Sequence, residues 1–323
     1  MAVSLRKLSH KKDVVAPGHR ACAGCGSIIA IKEVLMAVDS PVVVSFATGC
    51  LEVATTIFPY TAWRVPYIHC AFENSASVMS GVEAAYQSFR KQGKIDKEIK
   101  FIAFGGDGGT YDIGLQALSG AMERGHDMLY VCYDNEAYMN TGIQRSGSTP
   151  KGAATSTSPA GTVVPGKVQF RKDLTRIMAA HGIPYVAQAT PDRWRDLITK
   201  VQKAMEIKGP KFINILSSCF RGWRCAPEAS LDVTKVAVQT RFWPLFEVEY
   251  GKWKLNYKPK EYVPIEEWLK IQRRFQHLLK PENKPIVEEI QKEIDQRWEE
   301  LLHLCGEAEG KAQPPPASTE NPG

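Results

Sequence analysis

The sequence predicts an α/β fold built on a mostly parallel, doubly wound sheet. Apolar runs of strand length alternate with stretches of helical periodicity, which is the signature of βαβ units. One such unit is complete between "IKFIAF" (99–104) and "MLYVCY" (128–133). A chain of 323 residues with 44% hydrophobic content can also bury the core that such a sheet needs.

The elements follow in chain order. After Cys25, "GSIIAIKEVLMAV" places Ile28, Ile31, Val34, Leu35 and Val38 on one helical face, and Asp39-Ser40-Pro41 ends it. "VVVSF" (42–46) reads as a buried strand. "IKFIAF" runs into "GGDGG", and the helix "IGLQALSGAMERG", closed by Gly125, leads to "MLYVCY". Ser146–Gly166, rich in Ser, Thr, Gly and Pro, is too long for an ordinary connection and reads as a functional loop. "PYVAQA" precedes Thr190-Pro191, an N-cap with proline at the first helical position; that helix runs to about Lys208 and into "KFINIL", where the sheet is expected to end. Beyond about Cys225 an aromatic, proline-rich and lysine-rich stretch lacks periodicity and reads as an irregular arm, and a charged helix spans about Ile286 to Leu304. The expected divisions are an N-terminal segment (1–20), the sheet domain (21–225), an arm and helix for subunit contacts (226–305) and a disordered tail (306–323).

Charge excludes several functions. Lys+Arg 41 against Asp+Glu 35 gives only +6, without a basic run that would mark a nucleic-acid site, although a basic face could attract an acidic protein. No apolar run has the length of a membrane span, and the first residues lack a signal-peptide core, so the expected compartment is the cytoplasm. Eight cysteines are too sparse for a disulfide scaffold and lean toward metal binding or catalysis.

The most informative constellation is "GGDGGTYDIG" followed by "YDNEAYMNTG". Asp107 and Asn135 each stand just past a predicted strand, so parallel pairing brings both to one sheet edge, where ligands of open α/β sheets bind. Magnesium wants near-octahedral oxygen, and a carboxylate, an amide, a backbone carbonyl and diphosphate oxygens would satisfy it. The spacing resembles the thiamine diphosphate motif, which implies Asp107, Asn135 and the Ala137 carbonyl as magnesium ligands, with Gly106 and Gly108 letting the diphosphate approach. Read alone, the glycines would be only a tight βα turn.

Cysteines arrive at the same edge. Cys22 and Cys25 precede a helix, while Cys50 and Cys219 follow strands, so four thiols can converge beside the diphosphate site. They suit a tetrahedral zinc or a four-iron, four-sulfur cluster. Cys225 competes with Cys219 for the fourth place. Cys70 and Cys132 read as core thiols and Cys305 as incidental. His19, His69, His126 and His181 are scattered, without a nucleophile elbow, and read as structural. Glu73 and Asn74 start a helix-like segment, read equally as capping or as close packing on a cofactor or partner.

"HRACAGCG", "ATGCLEV", "YTAWRVP", "FENSASVMSGVEAA", "FGGDGGTYDIGLQALSGAMERGHDMLYVCYDNEAYMNTGIQRS" and "AAHGIPYVA" resemble the β subunit of the multi-subunit pyruvate:ferredoxin oxidoreductases, over roughly residues 10–250. The resemblance implies the thiamine-diphosphate-binding fold and a four-iron, four-sulfur cluster on Cys22, Cys25, Cys50 and Cys219. "SCFRGW" departs from the Cys-Pro sequence of the family, which keeps Cys225 in play. The cofactor-binding residues expected are Thr48, Gly49, Cys50, Gly106, Asp107, Gly108, Gly109, Asn135, Asn140 and Thr141, with Asn140 facing the thiamine and substrate as the catalytic residue. The reaction implied is oxidative decarboxylation of pyruvate to acetyl-CoA and CO2 with coenzyme A, electrons passing to ferredoxin. The partners implied are an α subunit, which would supply the glutamate for the aminopyrimidine, and ferredoxin-like or γ subunits. Oxalate and branched-chain 2-oxo acids are alternative substrates, and a non-redox thiamine diphosphate protein with structural zinc is the alternative of a different class.

Overall fold

The structure, a computed structural model, describes residues 3–307, so nearly all of the tail expected to be disordered lies outside the described residues. Strands form where apolar and β-branched runs can be covered on both faces. They are β1 (Val42–Ala47), β2 (Tyr67–Cys70), β3 (Lys100–Gly106), β4 (Leu129–Asp134), β5 (Tyr185–Ala189), β6 (Lys211–Leu216), β7 (Phe246–Glu249) and β8 (Lys252–Leu255). They make one 8-stranded sheet in the order β2-β1-β3-β4-β6-β5-β7-β8, parallel from β2 through β5 and antiparallel at β7 and β8. The α/β class and the mostly parallel sheet are those expected from the sequence.

Helices are α1 (Leu5–Ser9), α2 (Gly26–Met36), α3 (Cys50–Thr55), α4 (Ser75–Lys91), α5 (Leu115–Glu123), α6 (Leu174–Ala180), α7 (Trp194–Glu206), α8 (Phe220–Trp223), α9 (Ser230–Gln239), α10 (Ile265–Lys270) and α11 (Lys284–Leu304). Among the described residues none is long and apolar enough to cross a membrane. Side-chain alternation along the strands divides the core in two. Val44, Phe46, Phe104 and Val131 pack with Ile31 and Val34 of α2 and Leu197 and Val201 of α7. Phe101, Ala103, Tyr130 and Cys132 face the other way, against Met79 of α4, Leu118 of α5 and Trp298 of α11. Strand order reverses between β1 and β3, which opens a crevice beyond their carboxyl ends.

One expectation needs correction. The sheet does not end at β6, because the stretch read as irregular contributes β7 and β8. Four-residue strands are too short to display their period in a sequence. The helix expected over 113–125 is α5, and a π-helical turn over Gly108–Ile113 precedes it. β2 and α6, only four and seven residues long, carry no periodicity that the sequence reading could use.

The arm aromatics are largely spent within the chain. Trp223, Trp243, Trp268 and Phe275 form a third cluster with Val233 and Ile290. Trp268 is 1% exposed, stacks on Phe242 at 4.2 Å and donates its indole N–H to the Val233 carbonyl at 3.0 Å. Trp268→Ala is therefore expected to destabilise the chain by about 3–5 kcal/mol in urea unfolding. A cost below about 1 kcal/mol would show that the arm is not part of the core.

Candidate active site

Parallel register delivers the chemistry-bearing residues to one edge. Gly106 pairs with Tyr133 and Asp134 with Leu216, so the chain leaves β3 at Asp107, β4 at Asn135 and β6 at Ser217 on the same side. β1 leaves there too, through Thr48 and Gly49 into Cys50, the first residue of α3.

A cavity of about 440 Å³ opens at that edge, lined by Thr48, Gly49, Cys50, Phe72, Gly106, Asp107, Gly108, Gly109, Tyr133, Asn135, Ala137, Tyr138, Met139, Asn140 and Thr141. It gathers every residue expected to touch the organic cofactor. Its walls are shaped by missing side chains. A Cβ at Gly108 would lie 2.6 Å from the Tyr138 ring, and one at Gly49 would lie 2.6 Å from the Tyr133 hydroxyl. That hydroxyl is buried without a hydrogen-bond partner, so the cavity wall holds a free polar group for a ligand.

Asp107 is 1% exposed. One carboxylate oxygen accepts from the Asn135 backbone N–H at 3.3 Å and the other from the Ser146 hydroxyl at 2.5 Å. The Asn135 side-chain amide stands 2.9 Å from two acceptors, Asp107 Oδ1 and the Ala137 carbonyl. With its nitrogen toward them the amide donates an ordinary hydrogen bond to each. With its oxygen toward them, the carboxylate, the amide and the carbonyl are a donor set of the kind magnesium takes, whose neighbouring ligand oxygens lie about 2.9 Å apart. Burial, and then the neighbouring Asp134 carboxylate, push the Asp107 carboxyl well above the usual range. A cation on its open side would reverse that.

Asp134 has the opposite surroundings. It accepts from the Tyr111 hydroxyl at 2.6 Å, Arg171 at 3.1 Å, the Glu136 N–H at 3.1 Å and the Ser148 hydroxyl. It anchors the loop and has no group left for a ligand. Thr48 and Thr141 line the cavity with their hydroxyls already engaged, on His69 and the Cys70 carbonyl and on Gln144. Asn140 is exposed at the mouth, and its amide faces the Cys50 sulfur.

The thiols form a second group. The Cys22–Cys25 turn is closed by Cys25 N–H to the Cys22 carbonyl at 3.1 Å, and Gly26 N–H reaches the Ser218 carbonyl at 3.1 Å, which ties that turn to the residue before Cys219. Gly24 sits at φ +74, where a Cβ would lie 2.4 Å from the Pro227 carbonyl oxygen, so only glycine fits. Cys219 Sγ accepts from Gly222 N–H at 3.4 Å at the start of α8. Burial pushes the Cys50 thiol up to about 12 and Cys219 up to about 11; the other thiols of the group add to both shifts. Cys25 is raised for the same reasons. Cys225 is raised by burial too, but the charge it senses is Arg274, outside the group. Among the described residues no three His, Cys, Asp or Glu side chains stand close enough to hold a single ion.

Several of the remaining cysteines and histidines sit in the scaffold. Cys70 and Cys132 are buried in it, while His126 pairs with Glu83 and His181 with Ser119. Asn74 precedes α4 without a side-chain cap bond. Sequence reasoning missed Phe72, Tyr133, Tyr138 and Met139 in the cavity wall. It also missed Ser146 and Ser148, although the long polar loop that carries them was singled out.

Comparison with known proteins shows the family and the fold. Residues 47–215 match the family described as "Thiamine pyrophosphate enzyme, C-terminal TPP binding domain". The chain is 52% identical to pyruvate synthase subunit PorB of Thermotoga maritima, covering 94% of this chain and 97% of the relative. It is 53% identical to the PorB subunit of Methanocaldococcus jannaschii, over 89% and 96%. Ketoisovalerate oxidoreductase subunit VorB of Pyrococcus furiosus is 43% identical, over 89% and 92%. A solved 2-oxoglutarate:ferredoxin oxidoreductase from Magnetococcus marinus shares the fold, with a TM-score of 0.50 and 21% identity over 86% of this chain and 97% of that one.

The raised Asp107 carboxyl fixes a pH dependence. Folding favours its protonated form, so its contribution to stability is complete below the ordinary carboxylate pKa of about 3.9 and is lost as pH rises through the folded value. Without metal or cofactor, Asp107→Asn should gain stability over the wild-type chain between about pH 5 and pH 8, by at most about 1.4 kcal/mol per pH unit. Urea unfolding in a chelator checks this, and a gap that narrows with pH would contradict it.

Proposed function

Because the chain belongs to the family of pyruvate synthase PorB subunits, a component of a 2-oxo acid oxidoreductase complex, we propose that it carries the thiamine diphosphate site and an iron-sulfur centre for the oxidative decarboxylation of pyruvate. The products would be acetyl-CoA and CO2, with two electrons leaving for ferredoxin. The observation that carries this reading is the convergence of Asp107, Asn135 and the Ala137 carbonyl beside a cavity with an unpartnered Tyr133 hydroxyl.

Asp107, Asn135 and the Ala137 carbonyl would hold magnesium, and the glycines Gly106, Gly108 and Gly109 leave room for diphosphate. When bound, thiamine diphosphate supplies a carbanion that adds to the oxo carbon and a ring that accepts the electrons released by decarboxylation. The chain's own part is to bind, orient and keep the site dry. Phe72 and Tyr138, stacked at 5.5 Å, wall the cavity, and Asn140 at its mouth faces both the cavity and the Cys50 sulfur. No glutamate lines the cavity among the described residues, which supports a partner α subunit as the source of the one the cofactor needs. The exposed Tyr250 and Tyr262 of the arm are offered as part of the subunit contact.

Cys22, Cys25, Cys50 and Cys219 are proposed as ligands of one four-iron, four-sulfur cluster. Helix N-termini and backbone N–H groups around them favour thiolates, while burial disfavours them, so the metal must supply the balance. A tetrahedral zinc would draw its sulfurs to about 3.8 Å from one another, given Zn–S near 2.3 Å. Free cysteines throughout the chain suit the reducing cytoplasm, the compartment we propose. The VorB relative makes a branched 2-oxo acid the second reading for the substrate.

Two measurements test this reading. The anaerobically purified complex should be brown, bleach with dithionite, and turn over pyruvate faster than 2-oxoisovalerate or oxalate with coenzyme A and a viologen acceptor; a colourless zinc protein would refute the cluster. Asp107→Ala should abolish thiamine diphosphate binding in calorimetry while leaving the visible spectrum, and full cofactor occupancy in that variant would refute the metal assignment.

A further inference from the structure

The most deeply buried ion pair of the C-terminal region joins the two proposed centres. Arg274, 2% exposed, bonds the carboxylate of the fully buried Glu136 and also donates to Gln272 Oε1 from Nε at 3.0 Å and Nη2 at 2.7 Å. Its guanidinium lies 4.4 Å from the Trp223 ring centre, 4.8 Å from Phe275 and 5.6 Å from Trp268. A planar fork boxed by aromatic rings has one available orientation.

Glu136 stands between Asn135 and Ala137 in the oxygen triad. It adopts φ +66, a left-handed conformation that a non-glycine residue keeps only when its surroundings hold it there. Arg274 is such a hold. Trp223 makes the second connection: its indole donates to the Asn135 carbonyl at 2.8 Å, and its own N–H bonds the Cys219 carbonyl at 2.8 Å. Two ties therefore run from the loop that presents Asn135 and Ala137 into the turn that presents Cys219, and Arg274 lies over the ring of the shared tryptophan.

We propose that Arg274 is a positioning residue which, through Glu136 and Trp223, holds the oxygen triad in register with the Cys219 turn, so that cofactor loading and the environment of the cysteine centre are coupled. The inference rests on the reading of both centres given above. A structural role alone predicts something different, because a buried ion pair replaced on both sides by neutral groups of similar volume is often without cost.

The test uses the purified multi-subunit complex carrying Arg274→Lys or the pair Arg274→Met with Glu136→Gln, which leaves no buried charge unpaired. Affinity of the cofactor-stripped complex for magnesium thiamine diphosphate is measured by calorimetry, and the cluster potential by redox titration under electron paramagnetic resonance, with and without cofactor. The wild-type complex should show a cofactor-dependent shift in potential. The paired variant should melt as the wild type does, bind the cofactor about 10–100-fold more weakly and lose that shift. Arg274→Lys, which keeps the charge without the fork, should fold and lie between them, and it decides the matter if the paired variant does not assemble. Variants with wild-type affinity and an intact shift would overturn this inference alone. A wild-type complex that binds neither cofactor nor cluster would overturn the earlier reading and this one with it.

Discussion

Parallel pairing sets Gly106 beside Tyr133 and Asp134 beside Leu216, and the site depends on that register. Side chains alternate faces with a period of two, so a slip of one residue would turn Asp107 away from Asn135 and bury the wrong face of β3. The cores on the two faces resist such a slip because Phe104 and Phe101 must each return to their own layer. Packing energy spread over the whole sheet thus fixes a few oxygens at one edge.

Against that rigid edge, the two buried aspartates have been treated unequally. Asp134 has its lone pairs taken by Tyr111, Arg171, Ser148 and the Glu136 N–H. Asp107 turns one oxygen toward the Asn135 amide, which also reaches the Ala137 carbonyl, and that side is where the cation proposed above would sit. The thiols follow the same logic, since they are brought together while burial opposes their ionised form. For the two centres proposed above, gathering the groups at one edge is how a site would gain affinity by being preorganised.

Much of this was legible in the sequence because the strands are long, apolar and followed by residues with strong chemistry. Asp107, Asn135 and the four cysteines stand within a few residues of strand or helix ends, so a correct topology was enough to bring them to one edge. What escaped was whatever has no local period. β7 and β8 are four residues each; β7 takes its register from β5, more than fifty residues away in sequence, and β8 pairs only with β7. Ser146 reaches Asp107 across 39 positions, through a loop whose composition announced a role but not a partner. Tyr133 sat inside the strand run "MLYVCY" with nothing to single it out, yet its ring packs in the core while its hydroxyl reaches the cavity.

The C-terminal region shows why a stretch without periodicity need not be peripheral. Trp223 follows Cys219 by a single turn, and the rings of Trp268 and Phe275 close around the same guanidinium that bonds Glu136. A residue at φ +66 between two oxygen donors needs a hold, because its own backbone favours other conformations. Asp134 and Thr149 bond its N–H and its carbonyl, and Arg274, which arrives late in the chain and is itself locked by burial, bonds its carboxylate. Aromatic density in the arm meets that need: large rings supply the contact area that fixes one arginine, and the arginine fixes the loop. The arm is therefore continuous with the site it covers, and its aromatic composition follows from that role inside the chain.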